Sequence, residues 1–461
     1  MTLIKSISGI RGTIGGSPGD ALTPIDVTKF AAAFGTWVIG RKGRKVVIGR
    51  DARVSGQMVS SLVTATLQGL GLDVLDLGLS TTPTVEVAVS LEKAAGGIIL
   101  TASHNPGHWN ALKLLNEKGE FISAADGDQI LALASSEKFD FASVENLGGY
   151  EADDSYIDKH IRLILKHPLV DAGAIKKAGF KIVVDGVNST GGIAVPALLK
   201  KLGVKKIKKL FCEPTGLFAH NPEPLPENLT AISRMVKKEK YHMGIVIDPD
   251  VDRLAFIQED GKPFGEEYTL VAVADYILKK KKGNTVSNLS STRALRDITE
   301  QAGGKYTGSS VGEVNVVTAM KETHAVIGGE GNGGIIVPDF HYGRDAMIGI
   351  ALFLSHLARS KKKISELRKQ YPSYFISKNK IELTPKINVD QVLQNIVDKY
   401  SSEKINTADG VKIDFETEKS WVHLRKSNTE PIIRIYAEAQ TAEKAGALAQ
   451  QIINDIKKII N

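Results

Sequence analysis

The stretch KVVIGRDARVSGQMVSSLVTATLQGLGLDVLDLG, residues 45–78, carries the architecture of the whole chain in miniature. A short β-branched run leads into a polar turn, and apolar residues then fall at helical spacing (Val59, Leu62, Val63) before a glycine stop and a return to extended chain. A related pattern, KIVVDGVNSTGGIAVPALLKKLGVKKIKKL, occupies residues 181–210, with Val195, Leu198, Leu199 and Leu202 in the apolar stripe. A weaker copy, TVSNLSSTRALRDITEQAGGKYTGSSVG, runs from 285 to 312 with Leu295, Ile298 and Ala302. Internal similarity of this kind marks repeated structural units. Strand, helix and strand in alternation imply parallel strands with helices on both faces. The expected class is therefore α/β, with three similar mixed-sheet α/β domains.

After Tyr371-Pro372 the pattern changes. It reads as strand, a helix near Val389 to Lys399, then the closely spaced strands VKIDF, WVHLR and IIRIYAEA, and a long helix from Thr441 to Ile460. Closely spaced strands are antiparallel, so a smaller C-terminal α+β domain is expected. The boundaries expected are 1–150, 151–256, 257–373 and 374–461, in keeping with a chain of 461 residues, too long for one core.

Composition narrows the function. One cysteine, Cys212, allows no intrachain disulfide and fits a reducing compartment. No run approaches the roughly 20 apolar residues of a membrane span, and the start MTLIKSISGIRG lacks the features of a secretion signal, so a cytoplasmic protein without membrane partners is expected. The net charge of +7 would suit an anionic partner. Yet the lysines cluster at 200–209, 279–282 and 361–363 without interleaved aromatics, which reads as solvated helix ends. Nucleic acid is not expected, whereas a small phosphorylated substrate is.

Four polar loops stand out, one per expected domain. In LTASHNPGHWNALKL, residues 100–114, a buried run ends abruptly and leaves Ser103 at a turn beside His104, Asn105, Asn110 and Lys113. A capping serine is the bland reading. The glycines of an esterase elbow are missing, so acyl transfer is disfavoured. In GIVIDPDVDRLAF, residues 244–256, Asp248, Asp250 and Asp252 alternate with Pro249 and Val251, and in extended chain all three carboxylates would project to one side. Three like charges so close call for a cation, and oxygen-only donors favour Mg²⁺ or Ca²⁺. An EF-hand is the competing reading, but Arg253 stands where its glycine is needed.

The third loop, GGEGNGG at 328–334, allows close backbone approach and offers Glu330 and Asn332, groups better suited to sugar hydroxyls than to phosphate. The fourth, RKSNTEPIIRIYAE at 425–438, gathers Arg425, Ser427, Asn428, Thr429 and Arg434. Guanidinium forks, hydroxyls and turn N–H groups form the donor set that a phosphate dianion wants. A capped hairpin turn with solvated arginines is the alternative.

Taken together, TASHNP, DPDVDR, the GE-containing loop and RKSNTEP, with SGIRG at 8–12, resemble the motifs of the α-D-phosphohexomutases in order and one per domain. The resemblance spans nearly the whole chain. It implies four domains around a central cleft and a mutase that interconverts hexose 6-phosphate and 1-phosphate through a 1,6-bisphosphate, which also acts as activator. By this resemblance Ser103 carries a phosphoryl group, and Asp248, Asp250 and Asp252 bind Mg²⁺ together with it. Arg11, Lys113 and His104 are implied as catalytic groups, Glu330, Asn332 and Arg253 as sugar-binding, and residues 425–434 as the site for the other phosphate. The family's GE loop often ends in histidine where this chain has Gly334, so the general base stays open. The GEGNGG form and VGE at 311–313 favour glucosamine phosphate, with phosphomannomutase/phosphoglucomutase as the alternative and a phosphosugar hydrolase or binding protein as the alternative from another class. A monomer or homodimer is expected.

Overall fold

The computed structural model describes residues 2–6, 9–382, 387–426 and 432–460. Two compact units divide the chain: Met1–Thr269 with Asn332–Arg368, and Leu270–Gly331 with Lys369–Asn461.

In the first unit, seven strands form one sheet: β1 (Ile4–Ser6), β2 (Gly9–Thr13), β3 (Lys45–Arg50), β4 (Asp73–Leu79), β5 (Gly96–Leu100), β6 (Trp109–Leu115) and β7 (Tyr150–Ala152), in the order β1-β2-β6-β5-β3-β4-β7. The alternation along β3 explains its two covered faces. Val46 and Ile48 point to Phe34, Trp37, Leu67 and Ile130 of the helices Pro24–Gly40, Gly56–Gly69 and Ala124–Ser136. Val47 points the other way, to Val85, Ala88 and Val89 of the helix Thr82–Leu91. All three strand residues are fully buried, each worth about 1.5–3 kcal/mol of transfer free energy.

β3 pairs in parallel with both β4 and β5, as strand-helix-strand alternation requires. β6, however, runs antiparallel to β5 and β2, so the sheet is mixed. This reversal is what brings the two ends of the Ser103 loop together. The second sheet repeats the plan: β8 (Lys181–Asp185), β9 (Lys206–Leu210), β10 (Met243–Ile247) and β11 (Leu254–Ile257) lie in the order β11-β10-β8-β9, with β10 and β11 antiparallel.

In the second unit, β12 (Asn284–Asn288) pairs in parallel with β13 (Tyr306–Ser309) and β14 (Ala325–Glu330). The short strand β15 (Gly334–Ile336) belongs to the first unit. The C-terminal sheet is wholly antiparallel: β16 (Phe375–Glu382), β17 (Lys404–Asn406), β18 (Val411–Phe415), β19 (Ser420–Lys426) and β20 (Ile432–Ala439), ordered β16-β20-β19-β18-β17. Ile413, Val422, Leu424 and Ile435 pack with Ile396 of the helix Val389–Lys399 and with Ile452 and Ile456 of Ala442–Ile460. Three mixed or parallel α/β sheets and one antiparallel α+β layer agree with the expected fold class. Among the described residues no helix is long and apolar enough to cross a membrane.

Candidate active site

β5 reads Gly-Gly-Ile-Ile-Leu and is fully buried, so the chain can change character only at its end. There Ser103 takes a left-handed conformation with φ of 48°, an unusual choice for a residue with a Cβ. Its N–H donates to Thr101 Oγ1 at 3.0 Å, and that hydroxyl donates to Asp51 Oδ2 at 2.6 Å. Arg53 fixes the rest of the loop. Its guanidinium donates to the carbonyl oxygens of Ser103, Asn105, Pro106 and Trp109 at 2.5–3.0 Å, while Nε pairs with Asp51 Oδ2 at 2.9 Å. Both ionic side chains are fully buried. Burial raises the Asp51 carboxyl above its usual range, a push opposed by Arg53.

The loop DPDVDR lies between β10 and β11, with Ile247 opposite Leu254. The expectation that its carboxylates converge because the chain is extended is not met. The loop is a tight turn in which Val251 has φ of 65°, a strained value for a β-branched side chain. Asp248 Oδ1 closes the turn by accepting the N–H groups of Asp252 and Arg253, both at 3.1 Å. Convergence thus comes from curvature. Gly333 supports it, since a Cβ there would lie 2.3 Å from the Leu254 carbonyl oxygen and its φ is 88°.

Ser103 Oγ donates to Asp248 Oδ2 at 2.8 Å across 145 residues of sequence. Lys113, on β6, reaches Asp250 Oδ2 at 2.7 Å and Asp252 Oδ2 at 3.4 Å. Thr82 Oγ1 donates to Asp250 Oδ2 at 2.6 Å, and Arg344 Nη2 to Asp252 Oδ2 at 2.7 Å. Oxygens of the three aspartates lie within 4.8 Å of one another, and all three side chains are fully buried. Asp250 Oδ1 and Asp252 Oδ1 are buried without a hydrogen-bond partner among the described residues. Hard, anionic and partly unsatisfied oxygens are the donors that Mg²⁺ or Ca²⁺ takes.

The electrostatics follow from position. Burial, then the charges of Asp252 and Asp250, push the Asp248 carboxyl well above its usual value. For Asp252 burial acts the same way, but Arg344, Lys113 and Arg253 outweigh it and hold the group low. Burial disfavours the Lys113 ammonium, yet Asp250 and Asp252 more than compensate and raise it. Burial and Arg253 bring His104 down to about 3, so its imidazole is neutral at physiological pH. Its Nδ1 lies 3.4 Å from Ser103 Oγ. Arg11, on β2, sits opposite Ala111 on β6 and so shares a sheet face with Lys113. Burial lowers its guanidinium, whose Nε has no partner among the described residues.

Other sequence-predicted residues stand elsewhere. Arg253 Nη1 is 3.5 Å from Glu223 Oε1, and Asn332 Oδ1 accepts the N–H of Gly334 at 3.2 Å. In the second unit Glu330 Oε1 accepts from Asn288 Nδ2 and from the Gly312 N–H, at 2.8 and 3.1 Å. Arg425 lies directly opposite Arg434 across β19 and β20, and Asp409 Oδ2 stands 2.8 Å from Arg425 Nε. Like charges facing each other on a sheet are unfavourable unless an anion lies between or beside them. Ser427, Asn428 and Thr429 lie outside the described residues. Sequence reasoning missed Arg53, Asp51, Thr82 and Arg344; the DAR triplet in the first repeat's polar turn was the visible signal for the first pair.

Comparison with known proteins agrees with this geometry. The phosphoglucomutase/phosphomannomutase family matches in four parts: α/β/α domain I over residues 3–141, domain II over 154–261, domain III over 265–374 and the C-terminal domain over 379–455. A phosphoglucomutase/phosphomannomutase of Thermococcus kodakarensis is 38% identical, covering 94% of this chain and 95% of that protein. A phosphoglucosamine/phosphogalactosamine mutase of Sulfurisphaera tokodaii is 32% identical, covering 98% of each. The crystal structure of a phosphoglucomutase/phosphomannomutase family protein from Burkholderia thailandensis superposes with a TM-score of 0.84 at 25% identity, covering 100% of this chain and 98% of that one. With four matched domains and full-length relatives around a buried serine-aspartate cluster, the chain belongs to the α-D-phosphohexomutase family, the phosphosugar mutases of the isomerase class.

Proposed function

We propose that the chain interconverts hexosamine 6-phosphate and hexosamine 1-phosphate, glucosamine being the favoured sugar, with Ser103 as the carrier of the transferring group. The observation that carries this reading is the 2.8 Å hydrogen bond from Ser103 Oγ to Asp248, which places a hydroxyl against the acidic cluster. Asp248, Asp250 and Asp252, with Ser103, would hold a Mg²⁺ ion. Bound there, the ion neutralises phosphoryl oxygens, the main demand of phosphoryl transfer.

In the forward step the bond from phosphorus to Ser103 Oγ breaks and a bond to a sugar hydroxyl oxygen forms, giving a 1,6-bisphosphate. That intermediate turns end for end, and its other phosphoryl group returns to Ser103. Lys113 and Arg11 offset the charge carried through each transfer, His104 is assigned as a catalytic group beside Oγ, and the proton given up by the attacking sugar hydroxyl ends on Ser103 Oγ as its bond to phosphorus breaks. Glu330, Asn332 and Arg253 are assigned to sugar hydroxyls. Arg425 and Arg434, with Ser427, Asn428 and Thr429, are assigned to the phosphate that is not transferring. The domain boundaries 1–150, 151–256, 257–373 and 374–461 and a cytoplasmic location, suggested by the single cysteine, belong to the same reading.

Activity toward mannose and glucose phosphates is the second reading, supported by the 38% identical relative named for those sugars. Rates measured side by side on glucosamine, mannose and glucose 1-phosphates, each with its 1,6-bisphosphate as activator, separate the two. The highest kcat/KM is expected for glucosamine 1-phosphate. Equal or better turnover of mannose or glucose 1-phosphate overturns the sugar assignment, and free phosphate without isomerised product overturns the mutase in favour of a hydrolase.

A further inference from the structure

A second group of metal-ligating side chains lies in the first unit, apart from the Ser103 cluster. His160, His341 and Asp345 offer ligand atoms that all lie within 4.8 Å of one another. Asp345 Oδ2 is 3.0 Å from His160 Nε2 and 3.1 Å from His341 Nε2. Its other oxygen is committed to the helix Ala346–Ser360, accepting the N–H groups of Met347 and Ile348 at 2.7 and 3.2 Å. The helix start therefore aims one carboxylate oxygen at two imidazoles.

The far nitrogens of both rings also face oxygen. His160 Nδ1 lies 3.0 Å from Thr84 Oγ1, and His341 Nδ1 lies 3.5 Å from Glu86 Oε2. An oxygen partner on Nδ1 with Nε2 turned inward, as at His160, is the arrangement that fixes tautomer and ring orientation in histidine metal sites, whereas His341 Nδ1 has no hydrogen-bond partner among the described residues. The His160 ring is further held by stacking on Phe340, with centroids 5.5 Å apart and planes 16° from parallel.

Charge balance points the same way. The Asp345 side chain is 1% exposed, so a cation beside its Oδ2 would offset a carboxylate held in buried space. His341 Nε2 faces the same Asp345 oxygen as His160 Nε2, so an ion placed there would meet that carboxylate directly. A four-coordinate ion at about 2.0–2.2 Å from nitrogen and oxygen ligands sets ligand atoms about 3.3 Å apart. The observed 3.0 and 3.1 Å need only a slight opening.

We infer that His160, His341 and Asp345 form a binding site for a zinc-class transition-metal ion, with Thr84 orienting the His160 imidazole and Glu86 facing the far nitrogen of His341. The donor set of two nitrogens and one oxygen is softer than the all-oxygen aspartate cluster, so the two sites select different ions. The ion ties together the helices Thr82–Leu91, Tyr156–Lys166 and Ala346–Ser360, and its role is structural.

The test uses the full-length Asp250→Asn chain, in which the oxygen cluster is impaired, stripped with chelator and titrated with Co²⁺. X-ray absorption at the cobalt edge is expected to show one equivalent bound by two imidazoles, with the strong visible bands of four-coordination. Asp250→Asn/His341→Gln should lose that equivalent, and Asp250→Asn/Glu86→Gln should bind it about 10–100-fold more weakly. An oxygen-only cobalt shell, or an imidazole signal that survives His341→Gln, overturns the site. Should the His341 variant not fold, the cobalt shell of the Asp250→Asn chain decides the question alone.

Discussion

Arg344 and Gly334 share one volume. A Cβ built on Gly334 would fall 2.4 Å from Arg344 Cδ, while the Arg344 guanidinium reaches Asp252 Oδ2 at 2.7 Å. The stem of one residue thus fills the space that a side chain at the other would need, and the glycine is what lets the cation reach the acidic cluster.

This relationship gives the first prediction. Gly334→Ala should destabilise the chain by about 1–3 kcal/mol, the usual result of overpacking, and should lower kcat/KM by displacing Arg344. In an Arg344→Ala background the same substitution should cost little. A double-mutant cycle read by urea denaturation and by turnover checks it: additive effects would mean that the two positions are not coupled.

Arg53 supplies the second. Removing it leaves Asp51 buried without its ion-pair partner and takes away the guanidinium that donates to four carbonyl oxygens of the Ser103 loop, of which that of Pro106 also accepts the Trp109 N–H. Arg53→Met should cost about 3–5 kcal/mol, the penalty of breaking a buried pair from one side. Asp51→Asn/Arg53→Met should recover part of that loss. Denaturation midpoints of the two variants are the measurement.

Metal linkage is the third. Because Asp250 Oδ1 and Asp252 Oδ1 lack hydrogen-bond partners among the described residues, Mg²⁺ should stabilise the folded chain by mass action, raising Tm in proportion to the logarithm of its concentration above Kd. Asp250→Asn should keep the fold, reduce this rise and cripple turnover. Scanning calorimetry with and without Mg²⁺, alongside rates after chelation, tests both halves.

The fourth concerns pH and the second unit. Glu438 on β20 accepts from Trp421 Nε1 at 2.7 Å and the Arg293 N–H at 2.9 Å, and burial raises its carboxyl to about 7 from an ordinary 4.5. Between those values the folded state keeps a proton that the unfolded chain has lost. Stability from this group is therefore complete below 4.5 and declines as pH rises toward 7, with a limiting slope of about 1.4 kcal/mol per pH unit. Glu438→Gln should flatten that part of the stability profile measured in urea at fixed ionic strength.

Much of this was legible in the sequence because the signals were local. The apolar stripe of residues 45–78 gave the helix Gly56–Gly69, and the C-terminal pattern gave Val389–Lys399 to the residue. Ser103 and the three aspartates were visible as polar residues that end buried runs. What stayed hidden depends on distant pairing. The antiparallel direction of β6 needs the sheet register, and the curvature of DPDVDR needs the left-handed Val251, which no β-branched residue advertises. Arg53 and Arg344 read as ordinary surface arginines until the fold buries them against partners 50 and 92 positions away.

The central claim is that Ser103 stores the phosphoryl group. Intact-mass analysis with peptide mapping, after incubation with the hexose 1,6-bisphosphate, tests it most directly. The account predicts one phosphoryl group on Ser103 in the wild-type chain and, in Ser103→Ala, neither that group nor mutase turnover. Undiminished turnover in Ser103→Ala, or a phosphoryl group mapped to another residue, would contradict it.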